Sequence, residues 1–557
     1  MNLELTHFDS LDFSKQRELI RKSPHSEKGD LILRSEKPEE IVPVLSHEDF
    51  LILLNETGKE LHPDLLRHAT SNQLTFATDF LCWEKDEIHK DRFLEWIDAL
   101  LQADRDKLLV FLSETDIEFL ISGFMKFVEV FKTEHLQMAD DYIGDQPFFT
   151  LDQLYYINIT GDHFESMRQA IEILFESDRA LYVNLLESII AEDESMIQEE
   201  AYQLRNNRLS EFGFPDKEEA MRIYKPIVDW ASIETKEANF FGDKPIEKPQ
   251  STFPILREHA PLFLDKVLTR FYQKYPHDEQ LEFEFLSLTN KILSCEDLPF
   301  HHVQGIRNCL TRARKWVSLS LEELSQSKED KALELLETQY IESFFRWSMT
   351  LLRKLRKEVE QTLHELHFQD ITQFFHFLSN PWNTRLSGLF RMIPIKAKAN
   401  AEMEVQEFED FESLAEIHRF HIEIQELRDI LEFLALHNKA TGANFVNSLK
   451  KTNTEITFLL LMATSVIHQT LYEKISFEPL EEKEIKEFIR TAFDDQKPFR
   501  KLRPTVKQHF LKILPSPLEN NHVIELLFNR LEEELGGLNL KMKLDPKYLP
   551  ILLVKSY

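Results

Sequence analysis

SETDIEFLISGFMKFVEVF, residues Ser113–Phe131, decides the fold class. Its apolar residues Ile117, Leu120, Ile121, Phe124, Phe127, Val128 and Phe131 recur three and four positions apart, which gathers them on one face of an α-helix. Ser113 followed by Asp116 fits the Ser-x-x-acid start, in which a side-chain oxygen takes up an orphan backbone N–H. The spacing predicts one helix from Ser113 to Phe131. Ser46-x-x-Asp49 ahead of FLILL has the same grammar, and Thr150-x-x-Gln153 predicts another helix start. LSHEDF (Leu45–Phe50) and LSETDI (Leu112–Ile117) read as one unit used twice, with Pro63 between them where a first helical turn tolerates it. Short helices then succeed one another to about residue 230, the signature of stacked helical repeats.

Composition agrees with this reading. The 557 residues include only 12 glycines against 44 phenylalanines, and 42% are hydrophobic, which suits helices and disfavours turn-rich folds and phosphate loops. No two glycines are spaced for a GxGxxG dinucleotide fingerprint, a P-loop or a GxSxG nucleophile elbow. The start, MNLELTHFDS, has no basic residue and no apolar run after it, so a secretory signal is not expected and the cytoplasm is the expected location. The longest apolar run, Ile456–Ile467, is far short of the ~20 residues that span a bilayer and predicts a buried core helix. Cys82, Cys295 and Cys309 are odd in number and have no CxxC pair, so they read as buried free thiols.

The chain is therefore expected to be all-α or mainly α, with four parts. Residues 1–40, rich in Lys, Glu, Ser and Pro toward Glu40, predict a disordered tail. Residues 41–241 form an acidic helical-repeat domain, residues 242–254 (GDKPIEKPQSTFP) a Pro-rich linker, and residues 255–557 a larger helical domain. In that last part Ser327–Ser379 suits one long helix or a helical hairpin, and Met392–Phe408 alternates as a small β hairpin does. Charge divides unevenly. Residues 1–241 hold 50 acids and 24 bases, a balance of −26, and the remainder 47 and 42, which leaves −5 of the net −31.

Four segments carry a resemblance: EEAYQLRNNRLSEFGFPDKEEAMRIY (Glu199–Tyr224), QLTFATDFLCW (Gln73–Trp83), FLSLTNKILSC (Phe285–Cys295) and VQEFEDFESLAEI (Val405–Ile417). They resemble an uncharacterised bacterial family, domain of unknown function 6178, over most of the chain. That resemblance implies a bacterial cytosolic protein and assigns no catalytic residue. Residues 45–131 are also similar to the cytosolic helical superhelix of MgtE-type magnesium channels.

Candidate sites are electrostatic. Glu192, Asp193, Glu194, Glu199 and Glu200 crowd nine positions; they suit a solvated helix end, or a loosely bound Mg²⁺, the one cofactor considered. Lys497, Arg500, Lys501, Arg503, Lys507 and Lys512 form an acid-free basic stretch interleaved with Phe499 and Phe510. It suits an anion or a partner contact, with the acidic first half as the nearest supply of anions. Nucleic acid is disfavoured by the net charge. Glu4/His7 and Glu519/His522 are the two Glu-x-x-His pairs, and His364/His367 and His418/His421 share an i, i+3 spacing that reads as ordinary helix surface. Asp140–Asp145 reads as a turn. The leading expectation is a protein-interaction scaffold or adaptor with a protein partner and no membrane span. The alternatives are a divalent-ion-responsive regulatory module, or an enzyme with an unfamiliar site.

Overall fold

The computed structural model describes residues 8, 11–22, 25–54, 61–133, 148–160, 164–236, 262–276, 278, 280–296, 303–365, 368, 370–378, 380, 382–399, 405–437, 456–494, 500–514, 522–545 and 548–555. Among the described residues helices dominate, with three small antiparallel sheets: β1–β2 (Trp83–Glu84, Glu87–Ile88), a three-stranded sheet β3–β5–β4 (Val128–Lys132, Tyr155–Ile159, Phe148–Phe149) and β6–β7 (Lys396–Ala399, Val405–Glu409). Nearly all the buried apolar side chains, from Phe8 to Leu553, join into one connected core. The mainly α reading and the hairpin read from residues 392–408 both hold.

Several helix starts are where the sequence puts them. Ser46 Oγ accepts from Asp49 N at 3.1 Å and opens the helix His47–Leu54. Pro63 occupies the first turn of Pro63–His68. A start that the sequence reading did not single out is the reciprocal capping box of Thr70 and Gln73 on Ser71–Leu81, whose buried Gln73 amide also donates to Val42 O at 2.9 Å and Leu45 O at 3.0 Å, tying the helix to residues 42–45. The apolar run ending at Ile467 is a buried core helix, Phe458–Tyr472.

Others are not. The single helix expected over Ser113–Phe131 is three elements: Ser113 closes the helix Arg105–Glu114, a second helix runs Ile117–Met125, and Val128–Lys132 is strand β3. Val128, Val130 and Phe131 are good strand formers, and pairing of Val128 with Ile159 and Val130 with Ile157 overrides the helical spacing. Thr150 Oγ1 does accept from Gln153 N, at 2.9 Å, yet Gln153 has φ 63° and the strand β5 follows. The hydroxyl makes a local turn there, since helix growth needs helical residues after the cap.

The stretch Ser327–Ser379 is neither one helix nor a hairpin: helices cover Glu329–Thr338, Ile341–Glu365 and Ile371–Leu378. Glu284, on the helix Gln280–Cys295, accepts from Ile341 N at 2.8 Å and so starts the second of these from outside it. The described part of residues 1–40 is also folded. Helices Phe13–Lys22 and His25–Leu33 bring Ile20, Leu31 and Ile32 to the core beside Phe8, and buried Gln16 donates to Phe8 O at 3.2 Å. Core contacts supplied by the rest of the chain outweigh a local composition that alone could not offset chain entropy.

The segment 242–254 lies outside the described residues, and the change of packing comes before it. Tyr224, Ile227 and Trp230 already pack on the second half: Thr350 Oγ1 bonds both Ile227 N (2.9 Å) and Ile227 O (3.0 Å), and the Trp230 ring lies 5.4 Å from Phe344 and 5.6 Å from Trp347. Lys236 then forms a buried ion pair with Glu284 at 2.8 Å.

Candidate functional site

The helix Ser71–Leu81 ends at Cys82 and runs straight into the β1–β2 hairpin, whose turn residue Lys85 is held at φ 59°. The helix Glu194–Glu211 crosses behind it. Asp193 starts that helix by accepting from Ser195 N at 3.0 Å, and Gly213, at φ 81°, ends it in the left-handed region that glycine enters without a Cβ penalty. Two arginines one turn apart fasten the helix to Ser71–Leu81 and to the hairpin that follows it. Arg208 grips the buried Asp79 with Nε at 2.9 Å and Nη2 at 2.7 Å, and reaches Asp116 with Nη1. Arg205 donates to Asp79 O at 2.8 Å and lies over the Trp83 ring at 5.2 Å. Burial pushes the Asp79 carboxyl above its ordinary value, against the pull of the Arg208 guanidinium.

Above this clamp lies a cavity of about 360 Å³. Its floor is aromatic and aliphatic: Phe80, Trp83, Tyr202, Leu209, Phe214 and Leu293. Its rim carries both signs of charge on exposed side chains, Glu84, Lys85, Asp86, Glu199, Asp216 and Lys217. Apart from Glu84, Lys85, Asp86 and Arg92, the lining comes from three of the four segments quoted above. They meet because Asp79 and Arg208, 129 positions apart, form a buried pair, and because Asn290 donates to Gly213 O at 3.3 Å. The fourth segment joins through a neighbouring polar chain: Tyr224 OH donates to Glu296 at 2.9 Å, Arg312 pairs with Glu296, and Arg312 Nε reaches Asp410 at 2.7 Å. Burial raises the Tyr224 hydroxyl pKa well above the usual tyrosine range.

The acidic candidates do not converge. Glu192, Asp193, Glu194, Glu199 and Glu200 are all exposed; Asp193 is engaged as a cap, Glu194 lies 3.5 Å from Lys126, and Glu199 accepts from Gln203 at 2.9 Å. Among the described residues no three His, Cys, Asp or Glu side chains gather closely enough to hold a metal ion. Of the five, Glu199 alone lines the cavity.

The basic candidates bond within their own end of the chain. Arg500 Nη1 donates to Leu538 O at 3.0 Å, Lys501 N to Asp494 at 2.9 Å and Arg503 Nε to Phe493 O at 3.0 Å; Lys507 pairs with Glu532 at 2.7 Å, and Lys512 follows the helix Pro504–Leu511 on the surface. Lys497 lies outside the described residues, as do Glu4, His7, Asp140–Asp145, His367 and Glu519. His421 bonds Glu358 at 2.8 Å and is surface, as read. All three cysteines are buried and free.

Asp79, Trp83, Tyr202, Arg205 and Arg208 were not singled out by motif, and no spacing rule joins residues so far apart. What signal there was lay in the quoted segments themselves.

The chain belongs to the Family of unknown function (DUF6178), which it matches over residues 6–555. No curated protein and no solved structure matches it, so the likeness of residues 45–131 to the MgtE-type superhelix gains no support. Among the described residues no helix is long and apolar enough to cross a membrane.

Proposed function

We propose that this protein is an interaction scaffold or adaptor, and that the 360 Å³ cleft is where a partner polypeptide seats an aromatic or aliphatic anchor. One observation carries the reading: an apolar, aromatic floor ringed by exposed charges of both signs is the anatomy of a protein-recognition patch, with an apolar centre and a wet, charged rim. The charged rim is solvated, whereas acid–base catalysis favours titratable groups that are enclosed beside the reacting atoms. Arg205 and Arg92 donate to backbone carbonyls, Arg205 to Asp79 O at 2.8 Å and Arg92 to Trp83 O at 3.1 Å, so they build the walls. We place its action in the bacterial cytoplasm, in keeping with three buried thiols left unpaired.

Panning a random peptide library on the full chain tests this. A shared motif with an aromatic or large aliphatic residue flanked by charges is expected, and its binding should be lost in Ser294→Trp, which plugs the cleft from a half-buried position. Enriched peptides that bind Ser294→Trp as well as the parent chain would remove the reading.

A further inference from the structure

The helix Ile341–Glu365 carries a stripe of unbalanced positive charge. Arg346, Arg353 and Lys357 are seven and four positions apart, so they line up along one face over about 16 Å. Lys354 stands one step round the helix, over the Trp347 ring at 5.4 Å. Thr350, on the same face, bonds Ile227, which brings Lys225 to the head of the stripe, where its carbonyl accepts from Arg346 Nε at 3.1 Å. Lys225, Arg353, Lys354 and Lys357 are exposed and Arg346 is half-buried. Among the described residues none of the five forms an ion pair. The acids nearest them in the chain are engaged elsewhere: Glu342 pairs with Lys291 at 2.6 Å, Glu358 with His421 at 2.8 Å and Glu360 with Arg356 at 2.9 Å, and Asp229 accepts from Ala231 N at 3.0 Å. Arg353 and Lys357 are thus like charges at i, i+4, which destabilise a helix until a counter-charge arrives from outside. At the head of the stripe lies a cavity of about 690 Å³, between residues 226–234 and the helices Gln280–Cys295 and Ile341–Glu365. Arg346 lines it, beside apolar walls that include Pro226, Ile233, Phe283 and Val228, the last 97% exposed. Of its other charges, Lys291 is paired with Glu342 and Glu284 with Lys236, which leaves Glu234 on the exposed rim.

We infer that this face docks an acidic helix of a partner polypeptide, with an apolar side chain at the end that reaches the cavity. A helix laid along Ile341–Glu365 repeats its side chains at the same three-, four- and seven-residue spacing, so one row of carboxylates meets the whole stripe. The cavity takes the apolar end, and Glu234 turns a further acid away from it. The net charge of −31 does not forbid this contact, because at physiological salt charges more than about 8 Å away are largely screened and the local cations decide. Single-stranded nucleic acid fits the face less well: it binds by stacking on open rings, and Trp347 is half-buried with its ring 5.6 Å from Trp230. The face is separate from the cleft of the proposed function and stands or falls without it.

Fluorescence anisotropy on the full chain tests the inference with a labelled helical peptide of about 18 residues that carries four glutamates on one face and a leucine at one end. Its comparisons are the same peptide with glutamines for the glutamates, the same peptide ending in alanine, and an oligothymidylate. In about 0.05 M salt the glutamate peptide is expected to bind at least ten times more tightly than the glutamine one, the sum of several exposed ion pairs, and to lose that advantage toward about 0.5 M. Arg353→Glu/Lys357→Glu should abolish the advantage. Lys328→Glu/Lys331→Glu, the same change of charge at exposed positions at the head of Glu329–Thr338, should leave it within twofold. Ser287→Trp and Val228→Ser, which fill the cavity and strip its exposed wall, should each erase the preference for leucine over alanine. Equal binding of the glutamate and glutamine peptides, equal losses in the two charge-reversed variants, a leucine preference that survives both cavity variants, or an oligothymidylate that binds more tightly through Arg353 and Lys357 would overturn it.

Discussion

Replacing Arg208 with Ala removes the guanidinium that bonds the Asp79 carboxylate. Asp79 is 1% exposed and receives two bonds from Arg208, at 2.9 and 2.7 Å, so the variant leaves a carboxylate buried with its main countercharge gone. Breaking a buried pair from one side costs about 3–5 kcal/mol. Arg208 is a quarter exposed, which puts the loss at the lower end, about 3 kcal/mol, or roughly a hundredfold in a local opening equilibrium. Hydrogen-exchange mass spectrometry reads it directly, as a hundredfold loss of protection concentrated in Glu194–Glu211 and the facing turns of Ser71–Leu81. The pH dependence has a definite sign. In the folded parent the Asp79 pKa is already raised by burial, and losing Arg208 raises it further. A group with a raised folded pKa gives stability that is present at low pH and lost as pH rises through that pKa, so the deficit should be smaller at pH 5 than at pH 8. The double variant Asp79→Leu/Arg208→Met, which puts apolar groups in place of both charges, should recover most of the loss. Unchanged protection of Glu194–Glu211 in Arg208→Ala, or a deficit of the same size at both pH values, would refute the clamp.

Other consequences are simpler to measure. A Cβ on Gly123 would stand 2.2 Å from the buried Phe93 ring, so Gly123→Ala should lower stability by about 1–3 kcal/mol in a denaturant titration. His522 bonds Glu426 at 2.9 Å, which raises its pKa; the stabilisation is complete below the ordinary histidine value of 6.5 and is lost as pH rises through the raised one. The parent should therefore lose more Tm between pH 6 and pH 8.5 than His522→Ala does. Cys82, Cys295 and Cys309 are buried, and burial raises the Cys82 and Cys309 thiols, so a thiol reagent should titrate none of the three in the native chain and all three in denaturant.

Local grammar was legible where the chain alone decides. Ser46 starts a helix through an atom three positions on, Pro63 sits in a first turn, and the alternation of Met392–Phe408 marks its own hairpin. It failed where a distant partner decides. Val128 and Phe131 fit a helix face until β5, some thirty residues on, claims them, and Glu284 breaks Ser327–Ser379 from a separate helix. The cleft follows the same rule. Its floor depends on Asp79 meeting Arg208 and on Asn290 meeting Gly213, contacts 129 and 77 positions apart that leave no periodic trace. The charge clusters that composition makes conspicuous, Glu192–Glu200 and the described residues of Lys497–Lys512, are for the most part surface and local pairing; Asp193 caps its own helix and Lys507 pairs with Glu532 at 2.7 Å.

The most direct test places a photoreactive phenylalanine at Asn206, on the cleft wall, and a matched one at Lys331, on the exposed surface of the Glu329–Thr338 helix. After irradiation in cells that express the protein natively, crosslinked peptides are sequenced by mass spectrometry. A docking cleft yields a discrete polypeptide adduct at Asn206 that carries an aromatic or large aliphatic residue at the crosslink, is absent at Lys331 and disappears in the Ser294→Trp background. The same adducts at both positions, or an Asn206 adduct that persists when the cleft is plugged, would contradict it.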